Sequence, residues 1–310
     1  MKNNLSNIKK SKYYLDKNEC IAIPTETVYG LAANAYSGKA TSKIFKLKQR
    51  SKKNPLIVHY SSLKMLKNDC KTNDNFFKLY KKFCPGPITF VLNLKKNSKI
   101  SKLVTNNKKT LAVRFPKHAV TTKLLKSIKY PLAAPSANIS TKISPVSKED
   151  VSDEFGKKIK FILDGKRSKI GLESTIISLI NKPQILRLGG LEINQINKVI
   201  KTKLIYKKNE KKIISPGQGK VHYSPGIPIR LNVLNPKINE AFLLIKKRKL
   251  SGKNFYYLSK IKDLKEAAKN LYKTLRMIKK KNFKSIAVEK IPNKGFGEAI
   301  NDRLIRASKF

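Results

Sequence analysis

Lys48 and Arg50 offer a compact point charge and a planar guanidinium fork two positions apart. That pair suits triphosphate oxygens and the charge that develops during phosphoryl or nucleotidyl transfer. Asn54-Pro55-Leu56-Ile57-Val58-His59 follows, and Ser136-Ala137-Asn138 lies well downstream, so one half of the chain carries cationic and small polar groups fit for polyanion chemistry. Pro24-Thr25-Glu26-Thr27-Val28-Tyr29-Gly30-Leu31 comes after an apolar run. Its hydroxyls and the Glu26 carboxylate are thereby presented at a strand end, where α/β folds build ligand sites. The plainer alternative is that Thr27 caps the next helix. Arg114 ends the run Thr110-Leu111-Ala112-Val113, set either to grip a carboxylate with both arms or to make a surface ion pair. Pro135-Ser136-Ala137-Asn138 puts two short hydrogen-bonding side chains at a proline-fixed turn, a unit able to read a base edge or ribose. Ser174-Thr175 opens another apolar run and Arg187-Leu188-Gly189-Gly190 closes the next.

Other chemistries lack their signatures. The chain has no GxxxxGK[ST] loop, no GxGxxG after a strand, no GxSxG elbow and no HExxH. His59, His118 and His222 are far apart in sequence, and Cys20, Cys70 and Cys84 form no CxxC pair, which argues against a zinc site and against a disulfide framework. A reducing cytoplasm fits. The polar, lysine-rich opening from Met1 to Lys17 has no apolar run behind it, and no later segment is uniformly apolar, so a soluble protein outside the membrane is expected. A net charge of +50 would by itself suggest RNA or an anionic surface. The lysines are nevertheless spread through every segment among asparagines and isoleucines, the pattern of drift toward adenine- and thymine-rich codons. Clusters such as Lys246-Lys247-Arg248-Lys249 and Lys279-Lys280-Lys281 read as solvated helix ends.

These residues need a scaffold, and 310 residues with 40% hydrophobic content can bury one large core or two modest ones. Strand-like runs recur at Cys20 to Pro24, Pro55 to His59, Ile88 to Leu94, Thr110 to Phe115, Phe161 to Leu163 and Thr175 to Ile180. Ala40, Ile44 and Leu47 keep a helical period that leaves Lys48 and Arg50 near a helix end. Further helices are expected over Asp74 to Phe83, stopped by Pro85-Gly86-Pro87, and over His118 to Ile128. The alternation indicates an α/β fold with a mixed sheet. The pattern breaks between Lys201 and Pro228 around Ser215-Pro216-Gly217-Gln218-Gly219 and His222-Tyr223-Ser224-Pro225-Gly226, a linker by composition. Beyond it, strands at Ile229 to Val233, Asn254 to Leu258 and Ser285 to Val288 alternate with helices expected over Lys237 to Lys247, Leu264 to Lys279 and Gly297 to Ala307, giving a smaller α/β domain. The division is therefore 1–205, a linker at 206–228, and 229–310.

Taken in order, these motifs, with Gly171-Leu172-Glu173-Ser174-Thr175-Ile176 and the tail Gly295-Phe296-Gly297-Glu298-Ala299-Ile300-Asn301-Asp302-Arg303-Leu304, resemble the long, two-domain form of the threonylcarbamoyl-AMP synthase family. The YrdC-like part runs from about Asp16 to Ile200. The resemblance implies a twisted mixed sheet with flanking helices, followed by a small Rossmann-like α/β domain. It also implies a reaction: L-threonine, bicarbonate or carbon dioxide, and ATP with Mg2+ give L-threonylcarbamoyladenylate and pyrophosphate, and a separate transferase then modifies tRNA. No protein nucleophile is required, in keeping with the absence of a nucleophile motif.

Carried over by position, the resemblance assigns Thr27, His59, Arg114, Ala134 and Ser174 to L-threonine, with Arg114 on its carboxylate. It assigns Arg50, Asn54, Thr110, Ser136, Asn138, Ser144 and Arg187 to ATP, makes Lys48 and Arg50 the cations that neutralise the triphosphate as pyrophosphate leaves, and gives Tyr223 a lid contact to the nucleotide. Four positions depart from the family pattern: Thr141 and Lys166 stand where glycine is expected, Val146 where threonine is, and Leu188 where proline is common. Two competing readings are a non-catalytic RNA- or nucleotide-binding module of the same fold, and a carbamoyl-transfer accessory domain as in hydrogenase maturation proteins. The latter carry acylphosphatase and zinc-finger segments, which this chain lacks. Beyond the small substrates, the partners that the resemblance brings into view are tRNA and the downstream transferase.

Overall fold

A computed structural model describes residues 2–204, 206, 222–248 and 252–309, so the Ser215-Pro216-Gly217-Gln218 part of the expected linker lies outside the described residues. The first half comprises α1 (Lys2–Asp16), β1 (Ile21–Ile23), β2 (Gly30–Asn34), α2 (Gly38–Lys48), β3 (Ile57–His59), α3 (Leu63–Asp69), α4 (Asp74–Phe83), β4 (Ile88–Asn93), α5 (Lys102–Thr105), β5 (Thr110–Arg114), α6 (Ala119–Ser127), β6 (Leu132–Ala133), α7 (Lys148–Phe155), β7 (Thr175–Ser178), β8 (Gln184–Arg187) and α8 (Ile193–Ile200). The strands form one sheet in the order β1-β2-β6-β3-β5-β4-β7-β8. The pairs β3–β5 and β4–β7 are parallel and the others antiparallel, the mixed sheet that the alternation predicts.

Local chemistry explains where these elements begin and stop. The α4 helix starts because the Asn73 side chain accepts the Phe76 N–H, and Pro85 and Pro87 beyond Cys84 cannot continue it. Its apolar stripe buries Phe76 and Leu79, and Phe76 meets Phe90 of β4 edge-on at 5.0 Å. Such an aromatic pair adds about 0.5–1.5 kcal/mol beyond the area it buries. The Ser37 side chain caps α2, and Ala40, Ile44 and Phe45 fasten that helix to the core.

The second half contains β9 (Ile229–Leu231), β10 (Glu240–Lys246), β11 (Phe255–Ser259), α9 (Leu264–Lys279), β12 (Ser285–Val288) and α10 (Phe296–Ala307). Its sheet is parallel throughout, in the order β11-β10-β12-β9. Leu243 and Ile245 of β10, Leu271 and Leu275 of α9, and Ile300 and Leu304 of α10 belong to the same contiguous core as Phe90, Val113 and Ile177 of the larger sheet. Both sheets thus share one apolar interior. No helix among the described residues is long and apolar enough to cross a membrane.

Three expectations fail locally. The helix expected over Lys237 to Lys247 is the strand β10, which lies between β11 and β12 and is buried on both faces from Glu240 to Ile245. A run buried on both faces loses its alternation, and periodicity then cannot separate it from a buried helix. Phe161 to Leu163 makes only a single parallel bridge, from Ile162 to Ala22. Thr27 caps no helix, because the next element is the strand β2.

Candidate active site

The loop between β1 and β2 is folded on its own hydroxyls. Thr25 Oγ1 donates to Val28 O at 2.6 Å and accepts from the Thr27 and Val28 amides, a side-chain turn that threonine makes without outside help. It leaves Thr27 Oγ1, 2.8 Å from Thr25 Oγ1, accepting from Arg114 Nη2 at 2.7 Å. Arg114 also meets Glu26 Oε1 at 2.7 Å, while Glu26 Oε2 accepts the Lys117 amide at 3.0 Å. Arg114 is 4% exposed and Glu26 5%, so the pair is a buried one and not the surface pair that the sequence left open. Loss of either partner strands a charge in the interior.

Beside it, His59 at the end of β3 is opposite Arg114 in the parallel ladder. Burial, and after it the Arg114 cation, pushes the imidazole well below the ordinary histidine value, so it is neutral at physiological pH. His59 Nδ1 and Arg114 Nε are buried with no hydrogen-bond partner. Ser174 sits where β7 begins: its hydroxyl is 2.7 Å from Thr89 Oγ1 and accepts from Arg187 Nη2 at 3.1 Å, and its carbonyl takes Arg187 Nε at 3.1 Å. Arg50 donates to the carbonyls of Asn54 and Pro55 at 3.2 and 3.1 Å. Burial, then the nearby Arg187 cation, brings Arg50 down to about 10, which leaves it charged at neutral pH. Arg50, Arg114 and Arg187 line one cavity with His59, Ala134 and Ser136.

Lys48, expected to stand with Arg50 as a cation on the triphosphate, turns inward from the cavity. It is 1% exposed, stands outside the cavity lining, and donates through Nζ to the carbonyls of Ser136 and Asn138. Burial, followed by repulsion from Arg50, pushes its ammonium well below the ordinary lysine value. The Ser136–Asn138 turn is thus pinned from one side by Lys48 and from the other by the Ala137 amide on Tyr29 O at 2.8 Å. Asn138 spends its amide nitrogen on Lys142 O at 2.9 Å and keeps Oδ1 buried and unpartnered. Ser144 is fully buried and donates to Glu173 Oε1 at 2.6 Å. Asn54 flanks Arg50, with Oδ1 unpartnered. Thr110 begins β5, whose other end carries Arg114, about 13 Å away at strand rise. Thr110 is not part of the cavity wall.

Tyr223 does reach the cavity, and so do Thr25, Glu173 and His222, to which the sequence reading gave no ligand role. For His222 the signal was available: it precedes Tyr223 in the same turn-rich segment, and their rings lie 4.1 Å apart. Burial drives His222 down to about 3, and Nδ1 has no partner. Glu173 was hidden inside a motif read for its hydroxyls.

Two family models cover this chain almost end to end. One, described as telomere recombination, matches residues 13–189, and the other, described as the threonylcarbamoyl-AMP synthase C-terminal domain, matches residues 191–309. The threonylcarbamoyl-AMP synthase of Pyrococcus abyssi is 36% identical over 96% of this chain and 92% of its own length. This chain belongs to the threonylcarbamoyl-AMP synthase family. The Bacillus subtilis synthase is 35% identical over 95% of this chain and 90% of its own length. Among solved structures, Pyrococcus abyssi Sua5 complexed with L-threonine superposes with a TM-score of 0.89 at 34% identity, covering 97% of this chain and 94% of that one. The larger mixed sheet and the C-terminal α/β domain are therefore family architecture. Two of the departures from the family pattern have a visible effect: Thr141 and Lys166 keep the left-handed backbone of a glycine, with φ of 72° and 64°.

Proposed function

We propose that this chain condenses L-threonine, bicarbonate or carbon dioxide, and ATP into L-threonylcarbamoyladenylate and pyrophosphate. One observation carries the reading: a cavity walled by three arginines is lined by His59, Arg114 and His222, each of which keeps a buried polar atom without a protein partner. Buried polar groups are ordinarily satisfied, so a set left open around one cavity is a set awaiting ligand.

Arg114 takes the threonine carboxylate, with Thr27, His59, Ala134 and Ser174 around the amino acid. Arg50 and Arg187 face the phosphates, Ser136 serves the nucleotide from the cavity wall, and Asn54, Thr110, Asn138 and Ser144, outside that wall, support the nucleotide side. Mg2+ enters with the triphosphate as part of that substrate, since Glu26 and Glu173 are already engaged by arginines. The threonine amine adds carbon dioxide and loses a proton to give a carbamate. A carbamate oxygen then forms a bond to the α-phosphorus as the bond to pyrophosphate breaks. Catalysis of this kind is positioning plus stabilisation of phosphate charge, for which neutral His59 and the fixed cations are suited. Lys48 contributes by holding the Ser136–Asn138 turn. The adenylate is a substrate for a separate enzyme that modifies tRNA, and this chain acts in the cytoplasm.

The test is incubation of the purified chain with ATP, Mg2+, bicarbonate and radiolabelled L-threonine. A threonine-dependent adenylate that disappears with Arg114→Ala is expected. Binding of ATP without adenylate would overturn the reading in favour of a nucleotide-binding module.

A further inference from the structure

Glu173 lines the cavity, yet most of what holds its carboxylate comes from the C-terminal domain. Ser144 supplies one bond from the same half of the chain. Tyr272 of α9 points its hydroxyl at both oxygens, at 3.0 and 2.9 Å, and Arg303 of α10 donates through Nε at 3.0 Å. The remaining nitrogens of Arg303 are committed as well, to Asp302 at 2.8 Å and to the Leu188 carbonyl at 2.7 Å, so the guanidinium cannot swing away without breaking a bond at each of its three nitrogens.

The same two residues hold Tyr223. The Arg303 guanidinium lies 4.8 Å from the centre of the Tyr223 ring, and the Tyr272 ring stacks on it at 5.8 Å with 19° between planes. Tyr223 has a φ of 67°, a backbone state that an aromatic residue keeps only where its surroundings impose it. On its other side the Ser224 amide is tied to Thr141 O at 2.8 Å. Tyr223 is 1% exposed and forms part of the cavity wall.

We infer that Arg303 and Tyr272 are positioning residues for the cavity, fixing Glu173 in its wall and Tyr223 over its contents, so that the C-terminal domain governs how much of the ATP consumed ends as adenylate. The inference rests on the synthase reading above. A carbamate reverts and an acyl adenylate hydrolyses when water reaches them, so a wall held in place separates productive from wasted turnover.

The experiment uses the full chain. Tyr272→Phe keeps the stacked ring and removes one oxygen, Arg303→Met keeps the stem and removes charge and donors, and Arg303→Lys restores the charge alone. Arg248→Ala is the control: it breaks an exposed pair with Glu289 in the same domain, and neither residue lines the cavity. Adenylate formed per pyrophosphate released and hydrogen exchange at the Ser224 amide are both measured. Tyr272→Phe and Arg303→Met should lower the yield by about threefold or more while the KM for threonine stays within about twofold, and Ser224 should exchange faster. Arg303→Lys should recover part of both, and Arg248→Ala should change neither. Where Arg303→Met fails to fold, Tyr272→Phe carries the test. Exchange at Ser224 equal to that of the unaltered chain would overturn the inference, as would an unchanged yield. An unaltered chain that makes no adenylate would instead sink the synthase reading, and the exchange measurement would still decide whether these residues hold Tyr223.

Discussion

Arg50 and Arg187 line the same cavity, and the phosphate role proposed for them can be tested one residue at a time. A hydrogen bond to a charged group contributes about 1.5–3 kcal/mol, so Arg50→Ala should raise the KM for ATP by about 10- to 100-fold with little change in that for threonine, as steady-state kinetics would show. Glu173 makes a prediction in pH. Burial alone would raise its carboxyl, but Arg303 and Arg187 with the Ser144 hydroxyl outweigh it and hold the group at about 2, below an ordinary 4.5. A depressed carboxyl stabilises the fold fully above its unfolded value and loses that contribution as the pH falls from 4.5 toward 2. Chemical denaturation at stepped pH should show that loss, and Glu173→Gln should flatten it. Thr141, with φ of 72°, carries a β-branched side chain in the left-handed region. Thr141→Gly should stabilise the chain by about 1 kcal/mol, read as a higher urea midpoint. This strain was legible in the sequence, because Thr141 and Lys166 stood at glycine positions of the family pattern. The place of Lys48 was not: nothing in its spacing from Arg50 says that its ammonium turns inward onto two carbonyls.

At the scale of elements, legibility followed the environment of each run. The α4 and α9 helices, each with one apolar stripe, a side-chain cap and polar flanks, were read to their ends. Short strands such as β6, two residues long, gave no periodicity to read. The approach of one element to another is equally invisible before folding. Gly171, in the loop before β7, has a φ of 78°, and a Cβ there would meet the backbone of Lys269 in α9 at 2.5 Å. Gly171→Ala combines a strained backbone with a clash that no side-chain rotation relieves. It should loosen α9 from the larger sheet, with faster limited proteolysis of the C-terminal domain and loss of adenylate synthesis.

For the molecule as a whole, the net charge of +50 is the property most open to misreading. If it is compositional, the reaction of small substrates should change by less than about threefold between ~50 and ~200 mM salt, whereas nonspecific RNA binding should fall by about 10³-fold or more over that range. A steep fall in adenylate synthesis would show instead that the surface charge serves the reaction. The two-domain plan was clear from the sequence because apolar periodicity resumes after the turn-rich segment. The shared interior of the two sheets was not, nor was the pair of Glu173 with Arg303, 130 residues apart in the chain, because neither lies within any one run. That separation has a consequence during synthesis. A growing polypeptide that has already folded its larger sheet still lacks the arginine of α10, so its site stays unfinished while translation continues. On the inference above, a chain cut just before Arg303 should keep its larger sheet but form little adenylate, and adding back a peptide spanning α10 would be the direct way to see whether that helix alone restores it.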